Sequence, residues 1–589
     1  MGKVVAGASG RLALVSGEAG VGKTALLRAL SASAPRPGGI LWGACDPLYT
    51  PRPLGPVVDI SERTGGELAR LVSAGARPYE VGAELLRALA RRGPTLVVLE
   101  DLHWADEATL DLVRIIGRRI EGAPALLVLT YRDDELERGH PWRAVLGDLA
   151  GAGPIARIHV SCLSASAVGR MSEPHGIDPD ALFRITGGNP FFVTEVLAAG
   201  QGRIPESVHD AVLARIDRLS PAARTLLDAI AIAPLSTPLA LLPALVGDAV
   251  EGLAECVASG SVVVRDSEVS FRHELARMTV EAELGDGERI ELHRKALAAL
   301  GSTGTSSADP ARLAHHAAAA GDSSAVLRYG PEAGAAAARV GAHREAAAQY
   351  ARVLRFSEHL SAAERARLLS RRATECFLNG DYPDAIAARG EAARFFREAG
   401  DLRGEADALQ AMAPNLRCHG RVAEANQAMS DALRILETLP PGRELAMTRA
   451  NQAMLALNIE DLPAASRRAR WAVQLASRVD DHVALVHALN TMGTAACLNG
   501  DDDGRLQLVR SIDLSRQWGL DEQVGRGYLH LAWALTRTRA YDLAERYERE
   551  GLEYCLERGL DAWRYEITSH MARRLMDRGS WEPAVEAAA

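Results

Sequence analysis

The chain has 589 residues, more than one hydrophobic core supports, so three or more domains are expected. Hydrophobic residues make up 48% and aromatics only 5%, and the abundance of Ala and Leu points to helix-rich packing. A net charge of -9 excludes the basic footprint of a chain that wraps nucleic acid, and seven singly scattered cysteines exclude a disulfide framework or a cysteine-ligated metal.

The first predicted strand is Arg11 to Ser16 (RLALVS), short and apolar. It runs into GEAGVGKT, the residues Gly17, Glu18, Ala19, Gly20, Val21, Gly22, Lys23 and Thr24, and then into the helical TALLRALSA. This is the phosphate-binding loop pattern in its strand–loop–helix setting. Glycines let backbone N–H groups curl around phosphate, and the helix N-terminus adds partial positive charge. Lys23 is expected to reach the β- and γ-phosphates of ATP or ADP, and the Thr24 hydroxyl to bind Mg²⁺. The chain has three lysines, Lys3, Lys23 and Lys295, against sixty-four arginines, so a lysine kept inside this motif is informative.

A second acidic element is expected on a neighbouring strand, and Thr95 to Asp101 (TLVVLED) supplies it. Four apolar residues fit a strand of a parallel sheet, with both carboxylates emerging at its C-terminal edge. Glu100 is expected to hold Mg²⁺ and Asp101 to polarise the attacking water. Capping of the following helix is the alternative role, and it suits Asp106 better than this pair. A third strand, Ala125 to Thr130, ends in Tyr131 and Arg132. A basic residue at that tip can sense a γ-phosphate, and an ordinary surface arginine is the alternative.

The runs LEDLHWADEATLDLVRII, LLVLTYRDDE and GGNPFFVTEVL resemble the ATPase module of STAND proteins, with GACDPLYTPRPLGPVVDI and FRHELARMTVEAEL in support. The nearest likeness is to the large ATP-binding, maltose-regulator-like regulators of the LuxR family, closely over residues 10–300 and beyond that by architecture. The resemblance implies an AAA-type ATPase core (1–160), a helical lid (161–205) and a winged-helix domain (206–300) that closes over nucleotide. It implies that Arg132 senses the γ-phosphate and that Pro190, in the GxP motif of Gly188, Asn189 and Pro190, packs near adenine. It implies that His273 contacts the β-phosphate in the ADP state; a capping or packed histidine is the alternative. Family members carry a Gly-Arg-Glu box and a helix before the first strand, and usually a C-terminal helix-turn-helix. Neither is found in the 589 residues, so an incomplete adenine site and no direct DNA binding by this chain alone are expected.

After a linker-like segment, Gly301 to Ser307 (GSTGTSS), turn signals recur through residues 309–589. The residue following each turn is Ala346, Ala385, Ala425, Ala465, Arg505, Ala544 or Ala584, in steps of 39 or 40. Twelve residues earlier stand Gly334, Ala373, Ala413, Ala453, Gly493, Ala532 and Ala572, all small. This period predicts an all-α array of TPR-like hairpins, with a distorted turn before Arg505 and an incomplete final repeat. Its groove is expected to take an inducer or a protein; a scaffold or oligomerisation arm is the alternative.

The reading that joins these parts is a slow ATPase acting as a signalling switch for transcription regulation, with ATP-dependent self-association. The competing readings are an ATP-dependent machine or chaperone-like ATPase that recruits clients through the array, and a scaffold with a vestigial nucleotide site. The absence of a signal peptide or of ~20 consecutive apolar residues, with the reduced-cysteine pattern, leads to a cytoplasmic protein without a membrane span.

Overall fold

The computed structural model describes residues 9–33, 38–48, 50–150, 155–198, 212–213, 215–233, 236–265, 267–302, 309–501, 503–558 and 560–588. Most of the Gly301 to Ser307 linker, Lys3 and the start of the 206–300 segment lie outside the described residues. The chain divides into two compact units, Met1–Glu345 and Ala346–Ala589. The architecture is a parallel-sheet P-loop NTPase-like domain followed by a long all-helical TPR-like superhelix.

The sheet of the first unit contains β1 (Arg11–Ser16), β2 (Ile40–Ala44), β3 (Thr95–Glu100), β4 (Ala125–Tyr131) and β5 (Ile155–His159). All pairings are parallel and the order is β2-β3-β4-β1-β5. Every residue of β3 is buried, as its unbroken apolar run requires. Ala13, Val15, Leu96, Val98 and Val128 pack with Leu27 of helix α1 (Lys23–Ser33). The acidic strand is not the immediate neighbour of β1, as its sequence had suggested; β4 lies between them. The registers Ser16 with Tyr131 and Leu99 with Leu129 bring the three strand tips level at one edge.

The NTPase-like sheet is followed by helices Ala165–Ser172, Pro179–Thr186 and α2 (Pro190–Ala198), whose core holds Val168, Leu182, Val193 and Val196. Beyond them, β6 (Thr237–Pro238), β7 (Val262–Arg265) and β8 (Glu268–Phe271) form an antiparallel sheet in the order β6-β8-β7. Helices Pro221–Ala231 and α3 (Glu274–Glu283) pack with this sheet. Phe191 of α2 lies in their core, beside Leu226, Val262, Val269 and Val280, which ties the two small modules together. Helices α4 (Asp286–Ser302) and α5 (Pro310–Ala319) come next.

The second unit holds six helical hairpins among the described residues. Their first helices are Ala362–Leu378, Leu402–Cys418, Arg443–Asn458, His482–Leu498, Asp521–Arg537 and Asp561–Asp577. From the second hairpin on, the first helices pack on one another in succession, which curves the array toward that side. Ala373, Ala413, Ala453, Ala532 and Ala572 are buried, as are Ala385, Ala425, Ala465, Ala544 and Ala584. The exception is Arg505, which is only half-buried; its neighbour Gly504 takes the buried place. A Cβ on Gly504 would lie 2.3 Å from the Cys497 nitrogen.

Candidate nucleotide site

The loop after β1 depends on glycine for two different reasons. Gly22 has φ +99 with open space where a Cβ would stand, so only its backbone conformation demands glycine. Gly20 has φ +75 and is also crowded: an added Cβ would lie 2.8 Å from Cβ of Phe191 and 3.0 Å from Oδ1 of Asn189. Val21 is buried, and Glu18 accepts a long contact from the Cys162 thiol at 3.8 Å. Lys23 is folded onto the loop, donating to the carbonyls of Gly17 at 2.6 Å and Glu18 at 2.9 Å. Burial lowers its pKa and Arg132 adds to that, while Asp101 opposes the shift.

Glu100, at the tip of β3, accepts from Thr24 Oγ1 at 2.5 Å and from Trp42 Nε1 at 2.8 Å. Burial and the adjacent Asp101 raise its pKa. Asp101 itself sits at φ 58, a left-handed conformation rare for aspartate and held by its own N–H donating to Thr130 Oγ1 at 3.0 Å. Burial raises its pKa too, against the pull of Arg132 and Lys23. A buried carboxylate touching the Thr24 hydroxyl, beside a half-buried one, makes an all-oxygen donor set that suits a hard divalent cation such as Mg²⁺.

Arg132 follows β4 and is buried. Its guanidinium pairs with Glu135 and stacks 4.5 Å from the Trp104 ring centroid. It therefore stands among Asp101, Lys23 and Glu135. Asp106 caps the next helix, Glu107–Arg119, by accepting from the N–H of Thr109.

The small modules reach the loop through contacts that the sequence had not assigned. Asn189 Nδ2 donates to the Ala19 carbonyl at 2.9 Å, and the Phe191 N–H donates to the Gly20 carbonyl at 3.2 Å. Asn189, rather than Pro190, makes the polar contact; Pro190 opens α2. Leu275 of α3 also approaches Gly20. The His273 ring lies 4.7 Å from that of Phe191, at the start of α3. Burial, with Arg272, Arg215 and Arg28, pushes its pKa down to about 4, so at neutral pH it offers a neutral imidazole. Asn189 and Phe191 stood in the GxP run without an assigned contact to the loop, and Trp42, bonded to Glu100, and this arginine group carried no local motif.

The inner side of the array holds a second polar group. Arg526 is half-buried, donates to Met454 Sδ at 3.0 Å and lies 4.9 Å from the Trp563 ring centroid. Burial lowers its pKa to about 10. On the preceding first helix, Nε2 of His487 and both amide atoms of Asn490 are buried without a hydrogen-bond partner among the described residues.

Residues 1–129 match the family model of the AAA ATPase domain. The chain is 28% identical over 271 residues to an uncharacterized protein of Rhizobium meliloti (strain 1021), a match covering 40% of this chain and 25% of that protein. It thus spans about a quarter of that relative's length. Among solved structures, it is similar to a Signal Transduction ATPase with Numerous Domains (STAND) protein with a tetratricopeptide repeat sensor from Pyrococcus horikoshii. That likeness has a TM-score of 0.44 at 14% identity, over 98% of this chain and 86% of the other. A Rap protein complexed with competence and sporulation factor gives a TM-score of 0.39 at 12% identity, over 64% of this chain and 96% of the other. No helix among the described residues is long and apolar enough to cross a membrane.

Proposed function

We propose that the chain is an ATP-binding signalling switch of the STAND type, a slow ATPase serving a LuxR-type transcriptional regulator in the cytoplasm. The observation that carries this reading is the phosphate loop held from outside its own domain: Asn189, Phe191 and Leu275 all bear on Ala19 or Gly20. A plain hydrolase gains nothing from a loop bound to its flanking modules, whereas a switch needs one contact set that nucleotide can exchange for another.

In this reading Lys23 leaves the Gly17 and Glu18 carbonyls for phosphate, and the Gly20 to Thr24 N–H groups complete the cradle. Thr24 and Glu100 would hold Mg²⁺, which would supply charge neutralisation at the phosphates. Asp101 orients and deprotonates the attacking water, its raised pKa bringing it nearer the working range of a general base. Arg132 exchanges Glu135 for the γ-phosphate and reports its presence. His273, neutral, donates an N–H toward the β-phosphate, and Pro190 packs near adenine. The segment carrying β6, β7, β8 and α3 acts as the closing winged-helix module; ADP keeps it shut, and ATP with an inducer opens it for self-association. DNA is not bound by this chain alone.

The array is the sensor in this account. Arg526, His487 and Asn490 offer a cation and unused hydrogen-bonding atoms on its inner side, which suits a polar inducer bearing a carboxylate. Asp101→Asn should bind ATP normally and slow single-turnover hydrolysis by about 100-fold or more, since an amide cannot take a proton. Unchanged hydrolysis removes Asp101 from the reaction. Arg526→Gln should leave basal turnover intact and abolish the response to inducer; a retained response places the sensor elsewhere.

A further inference from the structure

Three histidines gather where α4 meets α5. His293 comes from α4, and His315 and His316 are consecutive on α5. Nδ1 of His293 lies 2.9 Å from Nδ1 of His316. The three rings stand 5.1, 5.3 and 5.6 Å apart, centroid to centroid. One ring nitrogen from each lies within 4.8 Å of the other two. His293 and His316 are buried and His315 is half-buried.

Apolar side chains would fill this junction at lower cost than imidazoles, whose nitrogens must each be satisfied away from water. Glu281 supplies negative charge near His293.

We propose that His293, His315 and His316 form a site for one divalent transition-metal ion of the zinc class. Nitrogen ligands ~2.05 Å from a tetrahedral centre stand about 3.3 Å apart. The His293–His316 pair, at 2.9 Å, is somewhat closer than that separation, and the third nitrogen lies within 4.8 Å of both. An all-imidazole set selects Zn²⁺, Co²⁺, Ni²⁺ or Cu²⁺ and rejects Mg²⁺, which prefers oxygen, so the site is chemically distinct from Thr24 and Glu100. Three protein ligands leave one coordination position for water, reached from the side of half-buried His315.

The ion clamps α4 to α5 across a connection of a few residues. Helix α4 follows α3, whose Leu275 lies near Gly20 of the phosphate loop. Metal occupancy therefore stiffens the link between the module that bears on the nucleotide site and the first helices beyond it.

The test is cobalt titration of the full, untagged chain without nucleotide. We expect one Co²⁺ per chain, with the visible d–d absorption of a four-coordinate nitrogen site, displaced by Zn²⁺. His315→Gln removes the most exposed ligand and should leave the fold intact by circular dichroism. It should lose that spectrum and weaken Zn²⁺ binding by about 100-fold or more. Glu100→Gln should bind cobalt as the wild type does. Uptake with a six-coordinate spectrum, uptake unchanged in His315→Gln, or no uptake at micromolar metal would each overturn the proposal.

Discussion

Glu345 is a carboxyl group with almost no water to solvate it. It is 7% exposed, and its Oε2 finds no hydrogen-bond partner among the described residues. Burial, with Asp106 and Glu107 adding repulsion, raises its pKa to about 8. An unfolded glutamate titrates near ~4.3, so between those values the folded chain holds a proton that the unfolded chain has released. The resulting stability is fully present below the unfolded pKa and is lost as pH rises through about 8. The unit Met1–Glu345 should therefore weaken between pH 6 and 8, by up to ~1.4 kcal/mol per pH unit. Glu345→Gln should flatten that slope and melt higher at pH 8; calorimetry giving parallel slopes for both proteins would assign the pH dependence to another group. At this scale the sequence was readable where chemistry is contiguous. Gly17 to Thr24 form one uninterrupted phrase, and Glu100 and Asp101 end one apolar run. Asn189 was legible only as the middle of a GxP phrase, because its bond to Ala19 crosses 170 residues of chain. The histidine trio was invisible for the same reason, since neither burial nor the meeting of α4 with α5 is written in the spacing of His293, His315 and His316.

Among the elements, the fourth hairpin shows how a period can mislead by one residue. Counting turn letters put Arg505 at the close-packed position, 40 residues after Ala465. The buried residue is Gly504, so that step is 39 and the next, to Ala544, is 40. A Cβ on Gly504 would meet the Cys497 nitrogen at 2.3 Å and the Gly493 oxygen at 2.8 Å, and these are backbone atoms that cannot swing aside. Gly504→Ala should destabilise the array by about 1–3 kcal/mol through overpacking. Arg505→Ala should stay within about 0.5 kcal/mol. Denaturant unfolding of the full chain distinguishes the two, and a harmless Gly504→Ala would restore the original register. Turn chemistry explains why the remaining hairpins were legible. Gly341, Gly380, Gly400, Gly420, Gly500, Gly519 and Gly579 all take positive φ, as helix ends favour. Glu460, Asp480 and Arg539 take the same conformation without being glycine, which no turn rule would have proposed for glutamate or arginine.

For the whole molecule, the parallel sheet and the hairpin array were both predictable, because each rests on a periodic or contiguous pattern. The order of the strands was not: the insertion of β4 between β1 and β3 depends on pairing, to which local sequence is blind. The coupling in the proposed switch likewise depends on long-range contacts, chiefly Asn189 and Phe191 on the phosphate loop. If those contacts are exchanged for nucleotide contacts, the ATP and ADP forms must differ in more than the bound phosphate. The most direct measurement is the sedimentation-equilibrium mass of Asp101→Asn, which should retain ATP unhydrolysed, in ATP–Mg²⁺ and in ADP–Mg²⁺, with Lys23→Ala as the nucleotide-free reference. The account predicts a monomer in ADP, a larger assembly in ATP once inducer is present, and a mass for Lys23→Ala that neither nucleotide changes. One mass in both nucleotides with inducer present, from a protein shown to bind both, would contradict it.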